Sequence, residues 1–434
     1  MNWQPIYAVL IFTSTLVTYL CALKIDATQI KRRKKTYLTL SLFINLSILF
    51  LFKYYNFFNS SIFGLLNDLG IRMSLPNFDL LLPVGISFYT FQAVGYTIDV
   101  YRGDIKSEKH FGIYALFVSF FPQLVAGPIE RAVNLLPQFK ETKIFNYEQA
   151  SDGIRLMIWG FFMKIVVADR LAIYVNSVYG VPEYHSSITL LIGTVFFAFQ
   201  IYCDFAGYSN IAIGCAKILG FDLMTNFKRP YFAQSCAEFW SRWHISLSTW
   251  FKDYLYIPLG GNRVGAVKNY RNLLITFLVS GLWHGANWTY VIWGGLNGFY
   301  QIIFKILDVS PKSRKIGVPF KFNYLVNLTI TFVLICFSWI FFRANSLYDA
   351  ITIIERIITV SGSLFIGDKS SFAYSIFAIS LLLIKDAVDE FYPDKKMFFT
   401  SEYRSVRYLS YTFIISTILL LGVFDGGQFI YFQF

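Results

Sequence analysis

The sequence predicts an all-α polytopic membrane protein. Hydrophobic residues make up 56% of its 434 residues, and its mean hydropathy is +0.51, which gives more apolar surface than a soluble fold of this size can bury. The Lys and Arg residues lie in short segments between apolar runs, as retention on the cytoplasmic side requires. The net charge of +12 therefore does not indicate a nucleic-acid partner.

The N-terminal third predicts three spans. The first apolar run, residues 7–23, is followed by its basic cluster, the reverse of a signal peptide, so it is a retained span. Residues 24–35 are strongly basic and should be cytoplasmic, which leaves the N-terminus outside. A second span over 37–58 leaves the cytoplasm, and a third over 80–100 returns to it.

Two apolar runs follow, but the alternation of cytoplasmic and external segments leaves room for only one membrane crossing. They cover residues 111–126 and 152–172, and the first is interrupted by Pro122, Gly127 and Pro128. We therefore expect 111–126 to be re-entrant, with its irregular backbone shielded from lipid.

Basic segments decide on which face of the membrane the next apolar runs begin and end. Residues 188–214 return to a basic cytoplasmic segment at 228–271. Residues 272–304 carry no Asp, Glu, Lys or Arg and have basic segments at both ends, so they leave from and return to one face. One straight helix of that length would be about 50 Å, against a membrane core of about 30 Å. A break is expected near Gly281, His284 and Gly285.

The C-terminal part predicts three further spans and an external end. The spans cover 322–342, 372–390 and 405–424, and the predicted membrane domain is residues 1–424, followed by an extracellular aromatic tail at 425–434.

The five cysteines predict packing rather than chemistry. They form no CxxC pair and are odd in number, and Cys21, Cys203 and Cys336 lie in apolar runs. Neither disulfides nor a metal site is expected.

His284 is the leading candidate for a functional residue. It is the one titratable imidazole in the uncharged run 272–304, and an ionisable residue inside a membrane segment indicates a functional site. The structural alternative is a histidine whose ring nitrogens are both hydrogen-bonded within the helix bundle.

A second histidine lies in an aromatic segment, residues 231–263. Trp240, Trp243, Leu247 and Trp250 recur at spacings of three and four, which predicts one stripe on a helix, with His244 on the neighbouring polar stripe. The simplest interpretation is an interfacial helix anchored by tryptophans.

Six motifs together resemble the bacterial membrane-bound O-acyltransferase (MBOAT) family, in its alginate O-acetyltransferase branch. The motifs extend over roughly residues 80–344: LPVGISFYTFQAVGYTIDVYRGD (82–104), FFPQLVAGPIER (120–131), YCDFAGYSNIAIG (202–214), EFWSRWHISLSTWFKDYLYIPLGGNR (238–263), LWHGANWTYVIWGGLNG (282–298) and FSWIFFRA (337–344). The resemblance implies an MBOAT-type helical shell with re-entrant and interfacial helices around a central tunnel and an outer funnel. It also implies that His284 is catalytic and His244 a second active-site residue.

The resemblance implies thioester-to-hydroxyl acyl transfer, for which a neutral imidazole is a suitable base. The expected donor is acyl-CoA, by default acetyl-CoA, or an acyl-carrier thioester, with no tightly bound cofactor and no metal. Trp283, Asn287 and Trp288 could orient the ring or polarise the carbonyl, or simply pack. Arg242 is a further candidate for substrate binding, although it and Asp204 are also candidates for structural ion pairing.

The C-terminal residues FIYFQF (429–434) fit an FxYxxF pattern. The pattern resembles the C-terminal motif of the small partner protein in teichoic-acid D-alanylation, where the tyrosine is proposed to carry the acyl group. By that resemblance Tyr431 would accept the acyl group, and an extracellular transferase of the serine-hydrolase type would pass it to a surface polysaccharide. An aromatic tail lying at the lipid headgroups is the alternative.

Three other functions stay open. One is direct acyl transfer to a glycan or lipid without the tyrosine, and another is transfer of D-alanine. The third is a transporter or flippase, favoured by broken helices and by the intramembrane Lys164 and Asp204, although no inverted repeat is found.

Overall fold

The computed structural model describes residues 7–71, 75–78, 80–83, 85–124, 127–307 and 322–424. These residues are helical with irregular connections, as predicted. They divide into two compact units, residues 1–145 with 219–224, and residues 146–218 with 225–434. The predicted tail at 425–434 lies outside the described residues.

Within the described part of the chain, five helices are long and apolar enough to cross a membrane. Their bounds are Tyr7–Ala27, Lys31–Asp68, Ser187–Ile218, Phe322–Arg343 and Lys369–Phe391.

The first unit is built on three long helices. Its helices are α1 (Tyr7–Ala27), α2 (Lys31–Leu49), α3 (Tyr55–Asp68), α4 (Ile86–Arg102), α5 (Phe111–Ser119), α6 (Phe121–Leu124) and α7 (Ala132–Gln138), with a π-helical turn, Phe50–Tyr54, that makes α2 and α3 continuous. Helix α4 packs against both α1 and α2 and is buried along most of its length. The side chain of Ser14 donates to Asn45 at 2.5 Å, so polar as well as apolar contacts hold these helices together.

Two predicted boundaries in this unit are wrong and one break is confirmed. The second span is longer than predicted, because the helix runs from residue 31 to residue 68, and the third begins at Ile86 rather than at residue 80. Helix α5 has only nine residues, or about 14 Å, which is too short to cross a membrane core of about 30 Å. The run 111–126 is therefore interrupted, as its prolines and glycine predicted.

The second unit carries both candidate histidines. Its helices are α8 (Tyr147–Phe161), α9 (Asp169–Tyr179), α10 (Ser187–Ile218), α11 (Cys236–Arg242), α12 (Ile245–Phe251), α13 (Ala266–His284), α14 (Trp288–Ile306), α15 (Phe322–Arg343), α16 (Leu347–Thr359), α17 (Lys369–Phe391) and α18 (Arg404–Leu421). π-Helical segments Phe162–Ala168 and Lys252–Tyr256 follow α8 and α12, and 3₁₀ turns lie at Pro182–Tyr184, Pro230–Phe232 and Phe398–Thr400. Helix α16 was not predicted.

Helices α8 and α10 approach closely through glycines. A Cβ atom on Gly207 would lie 2.8 Å from the carbonyl oxygen of Gly160, and one on Gly214 would lie 2.4 Å from that of Gly153. Small residues at such crossings let two backbones meet inside a membrane bundle. These glycines therefore allow α10 to pack closely against α8.

The intramembrane charges Lys164 and Asp204 bind each other. The Lys164 ammonium lies 2.6 Å from an Asp204 carboxylate oxygen and 2.7 Å from one of Asp169. Buried charges are expected to be paired in this way. The prediction that Asp204 is a structural ion-pair partner is confirmed.

The cysteines are free thiols, and four of the five are buried, with Cys215 half-buried. They are packing residues, as predicted.

Candidate active site

His284 is the last residue of helix α13, and the chain breaks immediately after it. The break covers residues 285–287, and α14 then starts at Trp288, so the predicted interruption is confirmed. A Cβ atom on Gly285 would lie 2.1 Å from the Tyr290 ring, so only glycine fits here. The Oδ1 atom of Asn287 accepts a hydrogen bond from the Thr289 backbone N–H at 3.0 Å and thereby caps α14.

Aromatic rings from three helices enclose the His284 imidazole. The ring centroid lies 4.9 Å from that of Trp293, 5.0 Å from Trp283 and 5.5 Å from Phe342, and each ring meets it edge to face. Only 2% of His284 is exposed. The His284 ring is therefore packed tightly among aromatic side chains.

His244 lies beside His284. The two ring centroids are 6.4 Å apart, with the ring planes at 63°. His244 is completely buried, and its ring also meets that of Phe205 on α10 edge to face, at 4.5 Å. Burial lowers the pKa of His244, which lies outside the five spanning helices, to about 3. The His244 imidazole is therefore neutral at physiological pH.

The backbone around His244 corrects the prediction of one continuous helix over this aromatic segment. The chain breaks between α11 and α12, where His244 has a φ of +42°, a left-handed conformation that is costly for a residue other than glycine. The N–H of Lys228 donates to the carbonyl of Arg242 at 2.8 Å, and the N–H of Ile245 donates to that of Asn226 at 2.9 Å. Tertiary hydrogen bonds hold this turn, which places His244 in the interior.

The tryptophans of this segment are also placed differently from the prediction. Trp243 is completely buried and Trp240 and Trp250 are nearly so, so they pack inside the protein rather than anchor it at the headgroups. Trp240 donates from its indole N–H to Asn297 on α14 at 3.3 Å.

The other predicted site residues differ in their distance from the histidines. Trp283 is buried against His284, whereas Trp288 is about half exposed. Arg242 contacts two carboxylates, Glu238 at 2.6 Å and Glu390 at 2.9 Å, and Glu390 also binds Arg229 at 2.8 Å. Tyr431 lies outside the described residues.

Asn226 and Trp293 are site residues that the sequence reasoning missed. Asn226 is 18 residues before His244 and contacts its ring at 3.1 Å, and nothing in the local sequence predicts that contact. Trp293 could have been found, because it lies in the same uncharged run as His284 and faces back across the break.

A cavity of about 220 Å³ lies within the second unit, lined by residues of α11, α12, α13 and α14. Its wall includes Ser280, one helical turn before His284, together with Trp240 and Leu247. Lys252 also lines it and is exposed. No Asp or Glu is among the described residues of its wall.

The fold and the site define a class, a helical membrane protein with two buried histidines side by side among aromatic rings. Comparison with known proteins gives the family. The model of the membrane-bound O-acyltransferase family matches residues 109–348, which is more than half of the chain. The chain belongs to this family, and the resemblance predicted from its motifs is confirmed.

Three relatives with different names illustrate the similarity. The chain is 40% identical over 349 residues to a probable alginate O-acetylase of Pseudomonas syringae pv. tomato, an alignment that covers 80% of this chain and 65% of the relative. It is 36% identical over 386 residues to the peptidoglycan O-acetyltransferase of Helicobacter pylori, covering 83% and 72%. It is 27% identical over 283 residues to the teichoic acid D-alanyltransferase of Bacillus subtilis, covering 62% and 71%. The chain thus spans about two thirds of the length of its alginate O-acetylase relatives.

Proposed function

We propose that this protein is an O-acetyltransferase of the bacterial cytoplasmic membrane, which moves an acetyl group from a cytosolic thioester towards a cell-surface polysaccharide. The observation that carries the proposal is the buried pair His284 and His244, with ring centroids 6.4 Å apart, in a chain related to proteins named alginate O-acetylase and peptidoglycan O-acetyltransferase. Both the N-terminus and the C-terminus lie outside the cell in this proposal.

The chemistry at His284 is a proton transfer coupled to acyl transfer. The imidazole takes the proton from an acceptor hydroxyl as its oxygen attacks the thioester carbonyl carbon. A C–O bond forms, the C–S bond breaks, and the imidazolium returns the proton to the departing thiolate. The aromatic rings around His284 support this role because burial among them disfavours the charged imidazolium.

The cavity lined by Ser280 and Lys252 is the proposed donor site. Its inner wall reaches Ser280, one turn from His284, and Lys252 at its exposed side can bind the phosphate groups of coenzyme A or of a carrier's pantetheine arm. A D-alanyl group carries an ammonium that a carboxylate would stabilise. A wall with no Asp or Glu among its described residues favours the uncharged acetyl group.

The proposed acceptor is the hydroxyl of Tyr431 in the C-terminal FxYxxF pattern. It would form an acyl-tyrosine in a covalent relay, from which an extracellular transferase of the serine-hydrolase type acylates the polysaccharide. Support for this step comes from the sequence pattern.

Mass spectrometry of the intact protein and its peptides tests the proposal. The purified protein is incubated with acetyl-CoA, and wild type is compared with His284→Ala and with Tyr431→Phe. We expect an acetyl adduct on Tyr431 in wild type and none in either variant. His110→Asn is the matched control, because His110 caps α5 in the first unit and asparagine caps helices well.

The outcomes separate the alternatives. Surface acylation that needs His284 but persists in Tyr431→Phe would replace the relay by direct transfer to the glycan. An adduct formed from a D-alanyl carrier thioester but not from acetyl-CoA would assign the activity of the Bacillus subtilis relative. Full surface acylation in His284→Ala would overturn the proposal.

A further inference from the structure

Asn226 is a completely buried amide at the centre of a small hydrogen-bond network. Its side-chain Nδ2 donates to the Ser209 hydroxyl at 3.0 Å on helix α10. Its Oδ1 accepts from the Ser246 hydroxyl at 2.9 Å and from the Ser246 backbone N–H at 3.3 Å. The same oxygen lies 3.1 Å from Nδ1 of His244.

The backbone N–H of Ser246 identifies which end of the Asn226 amide is the oxygen. A backbone N–H can only donate, so the amide atom that faces it must be an acceptor. The hydroxyl of Ser209 accepts from the opposite end of the amide. The assignment of Oδ1 therefore does not depend on how His244 is protonated.

An amide oxygen only accepts hydrogen bonds, so the His244 nitrogen beside it must carry the hydrogen. If Nδ1 carried a lone pair instead, two lone pairs would face each other at 3.1 Å in a completely buried place. A neutral imidazole has one N–H. With the hydrogen on Nδ1, the Nε2 atom carries the lone pair.

We propose that Asn226 is a positioning residue that holds His244 in the Nδ1–H tautomer, so that Nε2 of His244 enters acyl transfer as a hydrogen-bond acceptor. This inference rests on the proposed function for its catalytic part. While the single O–H hydrogen of the acceptor hydroxyl goes to His284, His244 presents the lone pair of Nε2 to the reaction as an acceptor. It does not donate from Nε2 to the oxyanion that forms on the thioester carbonyl.

The direct test is the tautomer of His244 in the whole protein. The chain has four histidines, so uniform ¹⁵N-histidine labelling gives four pairs of ring signals, and His244→Gln identifies the pair of His244. NMR of the reconstituted protein should show a protonated Nδ1 and an unprotonated Nε2. A protonated Nε2 at this residue would overturn the proposal.

Variants of Asn226 test whether the amide causes this tautomer. Leucine is close to asparagine in size but has no hydrogen-bond acceptor. In Asn226→Leu the Nδ1–H tautomer of His244 should therefore no longer dominate. The turnover number should fall by about 100-fold, the lower end of what an acid–base group contributes, with little change in KM for the donor. Asn226→Asp restores an acceptor oxygen and should restore both the tautomer and part of the turnover.

Ser209→Ala is the matched control. It removes one hydrogen bond of Asn226 without touching His244, so the Nδ1–H tautomer should persist. If Ser209→Ala changed the ring signals as Asn226→Leu does, the effect would be general loosening of the core and the proposal would fail. The wild-type NMR measurement needs no acyl donor and no folded variant of Asn226, so it can fail independently of the proposed function.

Discussion

Gly281 on helix α13 lies directly against the backbone of Tyr290 on helix α14. A Cβ atom on Gly281 would be 2.2 Å from the carbonyl oxygen of Tyr290, and real atoms do not approach so closely. The two helices that flank the break at 285–287 therefore cross at a point with no side chain between them. His284 is three residues away, so this crossing sets its position.

Gly281→Ala should push these helices apart and displace His284. Overpacking of this kind costs about 1–3 kcal/mol, and a displaced base should lose most of its activity. Thermal unfolding and acyl transfer of the purified variant measure the two effects. Gly295→Ala on α14 is the control, because its added Cβ would meet Leu278 at an ordinary 3.5 Å. An active Gly281→Ala protein of wild-type stability would contradict the prediction.

Arg242 should prove to be a structural residue more than a substrate ligand. It joins Glu238 on its own helix to Glu390 on α17, and it lies two residues before His244. Arg242→Gln should lower the free energy of unfolding by about 2 kcal/mol, below the usual cost of breaking a fully buried pair because Glu390 keeps Arg229.

A double-mutant cycle with Glu390→Gln measures the coupling between Arg242 and Glu390. We expect a clear coupling energy in unfolding experiments and little change in KM for the donor. A large rise in KM with wild-type stability would instead place Arg242 in the substrate site.

The break after His284 could be predicted from the sequence because length and charge decide it. An uncharged run of 33 residues between two basic segments cannot be one straight helix, and Gly285 supplies the residue that the turn needs. The helix break and the leading catalytic candidate, His284, therefore follow from the length and charge of residues 272–304.

The turn at His244 could not be predicted in the same way. Trp240, Trp243 and Trp250 have helical spacing, and their local pattern predicts one continuous helix. Backbone hydrogen bonds from residues 226–228, far away in the sequence, override that pattern and hold His244 at a φ of +42°. The contact between Asn226 and His244 depends on the same long-range pairing, so it becomes visible only in the structure.

Helix α16, Leu347–Thr359, was missed for a different reason. Ser346 caps it by accepting from the Asp349 backbone N–H at 3.0 Å, which is a recognisable start signal. Its 13 residues are too few to cross a membrane, so a search for spans passes over it. Attention to helix caps would have found it.

Protonation of the Glu108 carboxylate should make the protein less stable in acid. Burial raises the pKa of its carboxyl group, but the Lys140 ammonium at 2.6 Å and the backbone N–H of His110 at 2.9 Å more than offset this and leave the pKa below its usual value. A lowered pKa in the folded state adds stability above the carboxyl's unfolded pKa, and this stability is lost as the pH falls through the folded pKa.

The test is the melting temperature between pH 7 and pH 4 for wild type and Glu108→Gln. Glu108→Gln should cost about 1–2 kcal/mol at pH 7 and show a weaker fall in acid than wild type. Glu141→Gln is the control, because Glu141 is largely exposed where it meets Lys143. Parallel curves for Glu108→Gln and wild type would show that another group causes the acid response.

Lys252 should contribute to donor binding through its charge. It lines the proposed donor cavity and is exposed, where it can meet the phosphates of coenzyme A. Lys252→Glu should raise KM for acetyl-CoA by about tenfold, the equivalent of one charge-assisted hydrogen bond at the weak end of its range, and the difference from wild type should shrink at high salt. The turnover number should change little, because Lys252 takes no part in the proposed proton and acyl transfer. Lys268→Glu reverses the same charge at another exposed position outside the cavity wall, and it should leave KM unchanged. An equal rise in both variants would mean that the donor responds to the general charge of this surface, and the cavity would then no longer be favoured as its entrance.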